Sequence, residues 1–227
     1  MTRRQLLLDI RPEEPPSLDN FVVGGNAELL ARLAGLADSG VFDQVYLWGQ
    51  VGSGRSHLLQ GAAAHARARG RPLLLIDGAA LGKDLVPLPG SLVIVDDVDR
   101  LSETAQITLF RTFNAARLVG LALLLAGPTA PLHLALREDL RTRIGATLVY
   151  EVKPLSDADK ADALERHGRA RGMRVDPSLI DYLLRHGRRD LPSLLAALDA
   201  LDRVSLEQQR PLTLPLLREI LQATLEP

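Results

Sequence analysis

At 227 residues the chain can form one large or two small domains, and with 46% hydrophobic residues it can bury a sizeable core. Aromatics make up only 4%, so that core must be aliphatic, and a formal charge of -1 leaves no global basic excess to drive nonspecific nucleic-acid binding. The absence of cysteine excludes disulfides and thiolate metal sites. No run reaches the ~18 apolar residues of a membrane span, and Met1-Thr2-Arg3-Arg4-Gln5 precedes no small-residue cleavage site, so a cytoplasmic protein is expected.

The chain opens on an apolar hexapeptide, Gln5-Leu6-Leu7-Leu8-Asp9-Ile10. It is followed by Arg11-Pro12-Glu13-Glu14-Pro15-Pro16, which can be neither helix nor central strand. Such a peptide on a proline-rich linker suits a partner's groove as well as a strand packed on its own domain, and the residues leave both open. Leu18-Asp19-Asn20-Phe21-Val22-Val23-Gly24-Gly25 leads to Asn26, placed to cap a helix with the apolar face Leu29, Leu30, Leu33 and Leu36, ending at Ser39-Gly40.

The organising stretch comes next. Val45-Tyr46-Leu47-Trp48 predicts a short apolar strand, and His57 onward predicts a helix rich in Ala and Leu. Between them Gly49-Gln50-Val51-Gly52-Ser53-Gly54-Arg55-Ser56 follows the phosphate-loop pattern G-x-x-x-x-G-K-[ST], except that Arg55 stands in for lysine. Glycines let this backbone curl so that several N–H groups and the helix N-terminus converge on one anion, and Ser56 offers a hydroxyl to phosphate or Mg²⁺. Lysine occurs only at Lys83, Lys153 and Lys160, a compositional bias that itself favours arginine at position 55.

Leu73 to Asp77 predicts a second buried strand. A Gly/Pro-broken loop then leads to Leu92-Val93-Ile94-Val95-Asp96-Asp97, an apolar strand ending in two carboxylates. Asp96 is placed to hold a Mg²⁺ water shell together with Ser56, and Asp97 to orient attacking water, although it is one carbon shorter than glutamate. An amphipathic helix follows from Ser102, as cap, to Leu118. After it come a strand from Leu121 to Ala126, a short helical piece from Leu136 to Ile144 carrying Arg137, Arg141 and Arg143, and a strand from Thr147 to Val152. Alternating helices and near-continuous apolar strands predict an α/β fold with a parallel sheet covered on both faces. From Pro154 four helices are expected without a strand between them: Asp157–Arg171, Pro177–His186, Leu191–Val204 and Leu214–Leu225, marked by Gly172, Asp176-Pro177, Gly187 and Thr213. The expected domains are thus 1–16 (peptide and linker), 17–153 (α/β core) and 154–227 (helical subdomain). The five histidines, His57, His65, His133, His167 and His186, have no metal-ligand spacing.

Together these residues resemble the AAA+ class, and within it the DnaA replication-initiator branch. The likeness is carried by Asp19-Asn20-Phe21-Val22-Val23-Gly24, by Gly49 to His57 with Leu58 and Leu59, by Asp96-Asp97, by Leu140-Arg141-Thr142-Arg143 and by the four-helix lid. It extends over nearly the whole chain. Residues 205–227 carry Arg210 and Arg218 against Glu207, Glu219 and Glu226, so the DNA-binding helix-turn-helix of DnaA has no expected counterpart and no sequence-specific DNA binding is expected. Gly54 to Leu59 and Leu155-Ser156-Asp157-Ala158-Asp159-Lys160 are most similar to the Hda family of DnaA-homologous regulatory inactivators.

That resemblance implies an ADP-holding negative regulator of replication initiation that binds the DNA-loaded sliding clamp, the beta subunit of DNA polymerase III, and makes DnaA hydrolyse its ATP. Gln5, Leu6, Leu8 and Ile10 match the clamp-binding peptide. Phe21, Val22 and Val23 match the adenine-side box, and Gly52, Ser53, Gly54, Arg55, Ser56 and His57 the nucleotide-binding loop. Arg143 aligns with the arginine finger given in trans to a neighbour's γ-phosphate, with Arg141 as its rival one register away. The branch expects a polar first sensor where Pro128 stands, Thr129 being its nearest substitute. It expects a second-sensor arginine where Pro192 stands, with Arg188 and Arg189 one turn earlier. Arg55, Asp97 and these departures imply ADP or ATP binding, with or without Mg²⁺, and little or no turnover by the chain itself. Two alternatives stay open: an autonomous AAA+ ATPase of the helicase-loader sort, and a nucleotide-free DnaA-like adaptor. Self-association is also left open.

Overall fold

The structure is a computed structural model in which residues 14–225 are described. The chain divides into two compact units, Pro15–Pro154 and a second that contains the residues from Leu155 onward.

The first unit is built on five parallel strands: β1 (Gln44–Trp48), β2 (Leu73–Asp77), β3 (Leu92–Asp96), β4 (Ala122–Gly127) and β5 (Leu148–Glu151), in the spatial order β2-β3-β4-β1-β5. Because side chains alternate across a strand, each central strand feeds two cores. Val45, Leu47, Leu92, Ile94 and Leu124 pack against Leu29 and Leu33 of α1 (Ala27–Gly35) and Leu58, Leu59, Ala62, Ala63 and Ala66 of α2 (Arg55–Ala68). On the opposite face Tyr46, Val93, Val95, Leu123 and Leu125 meet Ala105, Leu109, Phe113 and Ala116 of α3 (Glu103–Val119) and Leu140 and Ile144 of α4 (Glu138–Gly145). The buried members of both cores are aliphatic apart from Tyr46 and Phe113, with Phe21, Tyr150, Trp48 and Phe110 packed at their edges.

Several boundaries depart from expectation for identifiable reasons. Asn26 sits at the N-cap of α1, yet its side chain does not cap the helix. Its Oδ1 accepts from Lys153 N at 2.8 Å, and its Nδ2 donates to Lys153 O at 3.0 Å and Val23 O at 3.2 Å, tying the entry of α1 to the exit of β5. The same helix stops at Gly35, not at Ser39-Gly40, because Arg71 takes over the carbonyls beyond it. The Arg71 guanidinium donates to Leu36 O and Asp38 O, both at 2.6 Å, to Val41 O at 2.9 Å and, through Nε, to Gly90 O at 3.0 Å. Arg71 is only 3% exposed, and that burial lowers its pKa. Before α4, Leu136 is a buried core residue and Arg137 the N-cap, so the helix starts two residues later than the apolar pattern suggests.

The second unit has four helices around one aliphatic core: α5 (Asp157–Ala170), α6 (Pro177–His186), α7 (Leu191–Gln208) and α8 (Leu214–Leu225). Ser156 and Asp159 form a capping box at α5, while Asp176 and Asp190 cap α6 and α7 through Ser178 N and Ser193 N. Among the described residues no helix is long and apolar enough to cross a membrane.

Candidate nucleotide site and the Arg143 helix

The turn between β1 and α2 is shaped by its glycines. Gly52 and Gly54 have φ of 81° and 95°, a region a side chain disfavours. A Cβ on Gly54 would lie 2.7 Å from the Phe21 ring, and one on Gly49 would lie 2.8 Å from Ser53 Oγ. No side chain caps α2, so its first-turn N–H groups stay available to an anion. Two further polar atoms here are buried without a hydrogen-bond partner, Ser53 Oγ and Arg55 Nη1. A buried hydroxyl and a buried cationic N–H left unpaired beside uncapped helix amides are the donor set that a phosphate would complete, so the residues fit a nucleotide.

The other predicted residues surround this loop. Ser56 Oγ donates to Asp96 Oδ2 at 2.7 Å, joining the loop hydroxyl to the tip of β3 as a Mg²⁺ water shell would need. The Asp96 Oδ1 accepts from Asp97 N at 2.9 Å. Phe21 packs against the His57 ring, with centroids 5.6 Å apart, and His57 Nε2 lies 3.0 Å from Ser17 O. Val22 and Val23 follow Phe21, and Val23 O accepts from Asn26 N at 2.9 Å. Asp97 is distorted: its φ is 44°, and Arg100 Nη1 approaches its Oδ2 at 3.7 Å and Asp77 Oδ2 at 3.6 Å. Burial, and secondarily the Asp96 charge, push the Asp97 carboxyl above the usual aspartate range, while Arg55 pulls it down. At the end of β4, where a polar sensor is expected, the space beside Gly127 is filled by the Tyr46 hydroxyl, which donates to Thr129 O at 2.6 Å.

Arg143 stands apart from this cluster, in the last turn of α4. Its Nη2 donates to Asn114 Oδ1 of α3 at 2.6 Å. The two helices border an open groove of about 770 Å³ lined by Phe110, Arg137, Glu138, Asp139, Thr142, Arg143 and Ala146 but not by Arg141. None of these residues belongs to the phosphate loop. Gln106, Phe110 and Asn114 recur at four-residue spacing on α3, a stripe readable in the sequence only once α4 is known to lie beside it. Tyr46 likewise gives no sequence signal beyond that of a strand residue.

In the second unit the arginines near the expected second sensor are matched to that unit's own acids. Arg189 Nη2 lies 3.1 Å from Asp157 Oδ1, and Arg188 Nε lies 3.7 Å from Asp190 Oδ2. The clamp-peptide residues Gln5, Leu6, Leu8 and Ile10 fall outside the described residues.

Known proteins agree with this architecture. Residues 157–221 match the family model of the Hda lid domain. Domain III of the replication initiation protein DnaA from Thermotoga maritima superposes with a TM-score of 0.79 at 20% identity, over 96% of this chain and 100% of that one. An AMPPCP-bound DnaA from Aquifex aeolicus matches at 0.71 and 22% identity, over 82% of this chain and 65% of that one. A RuvB variant from Thermotoga maritima shares the fold more distantly in sequence, with TM-score 0.71, 15% identity and coverage of 92% and 72%. The chain thus shares the fold of the DnaA AAA+ domain, and its C-terminal helices match the model of the Hda lid domain.

Proposed function

We propose that this chain holds an adenine nucleotide, ADP in its working state, and acts as a negative regulator of replication initiation by making DnaA hydrolyse ATP. The observation that carries the proposal is the position of Arg143. It lies at an open groove, exposed, in a short helix, and held by a single neutral hydrogen bond to Asn114. A guanidinium has five donors, so this bond leaves others for a partner's γ-phosphate. The phosphate loop's own residues lie elsewhere, which suits action on a neighbour's nucleotide. Arg141 does not line the groove, which favours Arg143 in the role.

Within the chain's own site, Ser53 Oγ, Arg55 and the α2 amides would hold the phosphates, with Phe21, Val22, Val23 and His57 toward the base. Ser56 and Asp96 would hold Mg²⁺ through water. A bound nucleotide would supply the anion that satisfies the buried loop donors. Asp97 is poorly placed to orient water, being turned into the left-handed region beside Arg100. The chain is accordingly proposed to turn over its own nucleotide slowly or not at all. Gln5, Leu6, Leu8 and Ile10 are proposed to tether it to the sliding clamp, with 17–153 and 154–227 acting as core and lid.

The test is hydrolysis of DnaA-bound ATP in the presence of DNA-loaded clamp, this protein and ADP, each omitted in turn. Loss of stimulation on omitting any component supports the proposal. Absence of stimulation, with ATP hydrolysis by this protein alone, would replace it by an autonomous ATPase.

A further inference from the structure

Helix α4 has only eight residues, and of its first-turn amides that of Leu140 is met from within the helix, by Asp139 Oδ1 at 2.8 Å. Arg137, its N-cap, makes no capping bond, and the N3 position is Leu140, which cannot reach back to the N-cap amide as a capping-box glutamate does. A helix this short has little intrinsic stability, so its position depends on what holds its ends. The missing half of the box comes from α3: Gln106 Oε1 accepts from Arg137 N at 2.8 Å. The same amide donates through Nε2 to Leu101 O at 3.1 Å. Only this orientation of the amide satisfies both neighbours, because a carbonyl cannot donate and a backbone N–H cannot accept.

Leu101 closes the 3-10 turn Val98–Arg100 that carries Asp97. Arg100 N bonds to Asp97 O at 2.9 Å, and Leu101 N to Val98 O at 3.3 Å. Asp97 is bonded in turn to Asp96, which receives Ser56 of the phosphate loop. One glutamine therefore stands between the turn after β3 and the start of the helix whose last turn carries Arg143. The far end of that helix is fixed to the same face of α3 by Asn114, two helical turns beyond Gln106.

We infer that Gln106 is a positioning residue that couples the carboxylate turn to α4, so that nucleotide held at Ser56 and Asp96 sets the aim of Arg143. This rests on the proposed reading of the phosphate loop and of Arg143. It adds that the chain's own nucleotide acts on the finger through its donor bond to Leu101 O and its acceptor bond to Arg137 N, and that these two halves can be separated chemically. An ionised Gln106→Glu keeps the acceptor for Arg137 N but has no donor for Leu101 O. Gln106→Met keeps the length and loses both.

The experiment is hydrogen–deuterium exchange of the full chain over residues 138–145, with and without ADP, alongside direct titration of ADP binding. In the parent protein ADP should slow exchange in α4 by about tenfold, within the usual range for coupling between sites. Gln106→Glu should bind ADP and show parent-like exchange in α4 without it, yet lose the ADP response. Gln106→Met should exchange rapidly in both conditions. ADP binding with no α4 response in the parent, or a parent-like response in Gln106→Glu, overturns the inference alone. Absence of ADP binding in the parent overturns the nucleotide reading and the coupling with it. In the DnaA assay, Gln106→Glu should reduce stimulation to the level seen without ADP, whereas Arg143→Ala tests the finger separately.

Discussion

Arg55 offers a test in which two observables should move in opposite directions. Its Nη1 is buried and unpaired. Leaving a charged donor in that condition costs about 1–3 kcal/mol in the free protein, offset in part by attraction to Asp97. Arg55→Met keeps the aliphatic stem and removes the orphaned group. The free protein should therefore gain roughly 1 kcal/mol, a rise of about 2–4 °C in melting temperature for a protein of this size. Affinity for ADP should fall, because a charge-assisted bond to phosphate is worth about 2–3 kcal/mol, or roughly 30- to 150-fold in Kd. Thermal melting with and without ADP reads the first quantity, and calorimetric titration reads the second. The melting shift produced by saturating ADP should shrink accordingly. A variant that melts lower than the parent and binds ADP equally well would mean that Arg55 is a structural packing group, and the assignment of its guanidinium to phosphate would fail.

Four further outcomes follow from particular contacts. Arg71→Leu leaves the carbonyls of Leu36, Asp38, Val41 and Gly90 without their donor in a site where the arginine is 3% exposed. Urea unfolding should show a loss of about 3–5 kcal/mol, and a loss below about 1 kcal/mol would remove Arg71 as the clasp of α1. Asp97 has a raised folded pKa, so the native state binds its proton more tightly than the unfolded chain. Its contribution thus favours folding at low pH and is lost as pH rises from the unfolded value through the folded one. Asp97→Asn should consequently raise the melting temperature at pH 7 but not at pH 3, with asparagine tolerating the positive φ; equal shifts at both pH values would contradict the burial argument. Arg143→Ala should leave clamp binding intact and cut stimulation of DnaA by about 10³-fold or more in single-turnover hydrolysis, and retained stimulation would transfer the role to Arg141 or elsewhere. Replacing Gln5 and Leu8 by alanine should abolish capture by immobilised clamp, and unchanged capture would remove the tether.

The parts of this fold that follow from local chemistry could be read in the sequence. The phosphate loop was legible because its glycines and its strand and helix neighbours are contiguous, and Asp96-Asp97 because it ends an apolar run. Contacts made across the fold were not. Nothing near Arg71 in sequence announces that Leu36, Asp38 and Val41 will need a donor, since the helix and the arginine are more than thirty residues apart. Asn26 looked like a helix cap because asparagine before an apolar periodicity usually is one; Lys153, distant in sequence, claims its amide instead. The α3 stripe of Gln106, Phe110 and Asn114 has the spacing of an ordinary helix face, and its meaning depends on which helix packs beside it.

The departures from a working ATPase site share a physical direction. In such a site the groups around the γ-phosphate must be free to respond to it. Here Asp97 is turned into the left-handed region and approached by Arg100, and the end of β4 is occupied by the Tyr46 hydroxyl. Each group is thereby committed to a neighbour within its own unit, whereas Ser53 Oγ, Arg55 Nη1 and the first amides of α2 remain without partners. Unsatisfied donors are thus concentrated at the phosphate loop, while Asp97 and the end of β4 are already engaged. Under the proposed function, such a distribution would favour a bound nucleotide without rewarding the transition state for hydrolysis of a triphosphate. That is the arrangement the proposed function calls for: a nucleotide that holds the protein in shape, and Arg143, exposed and singly bonded, with donors to spare for another molecule's chemistry.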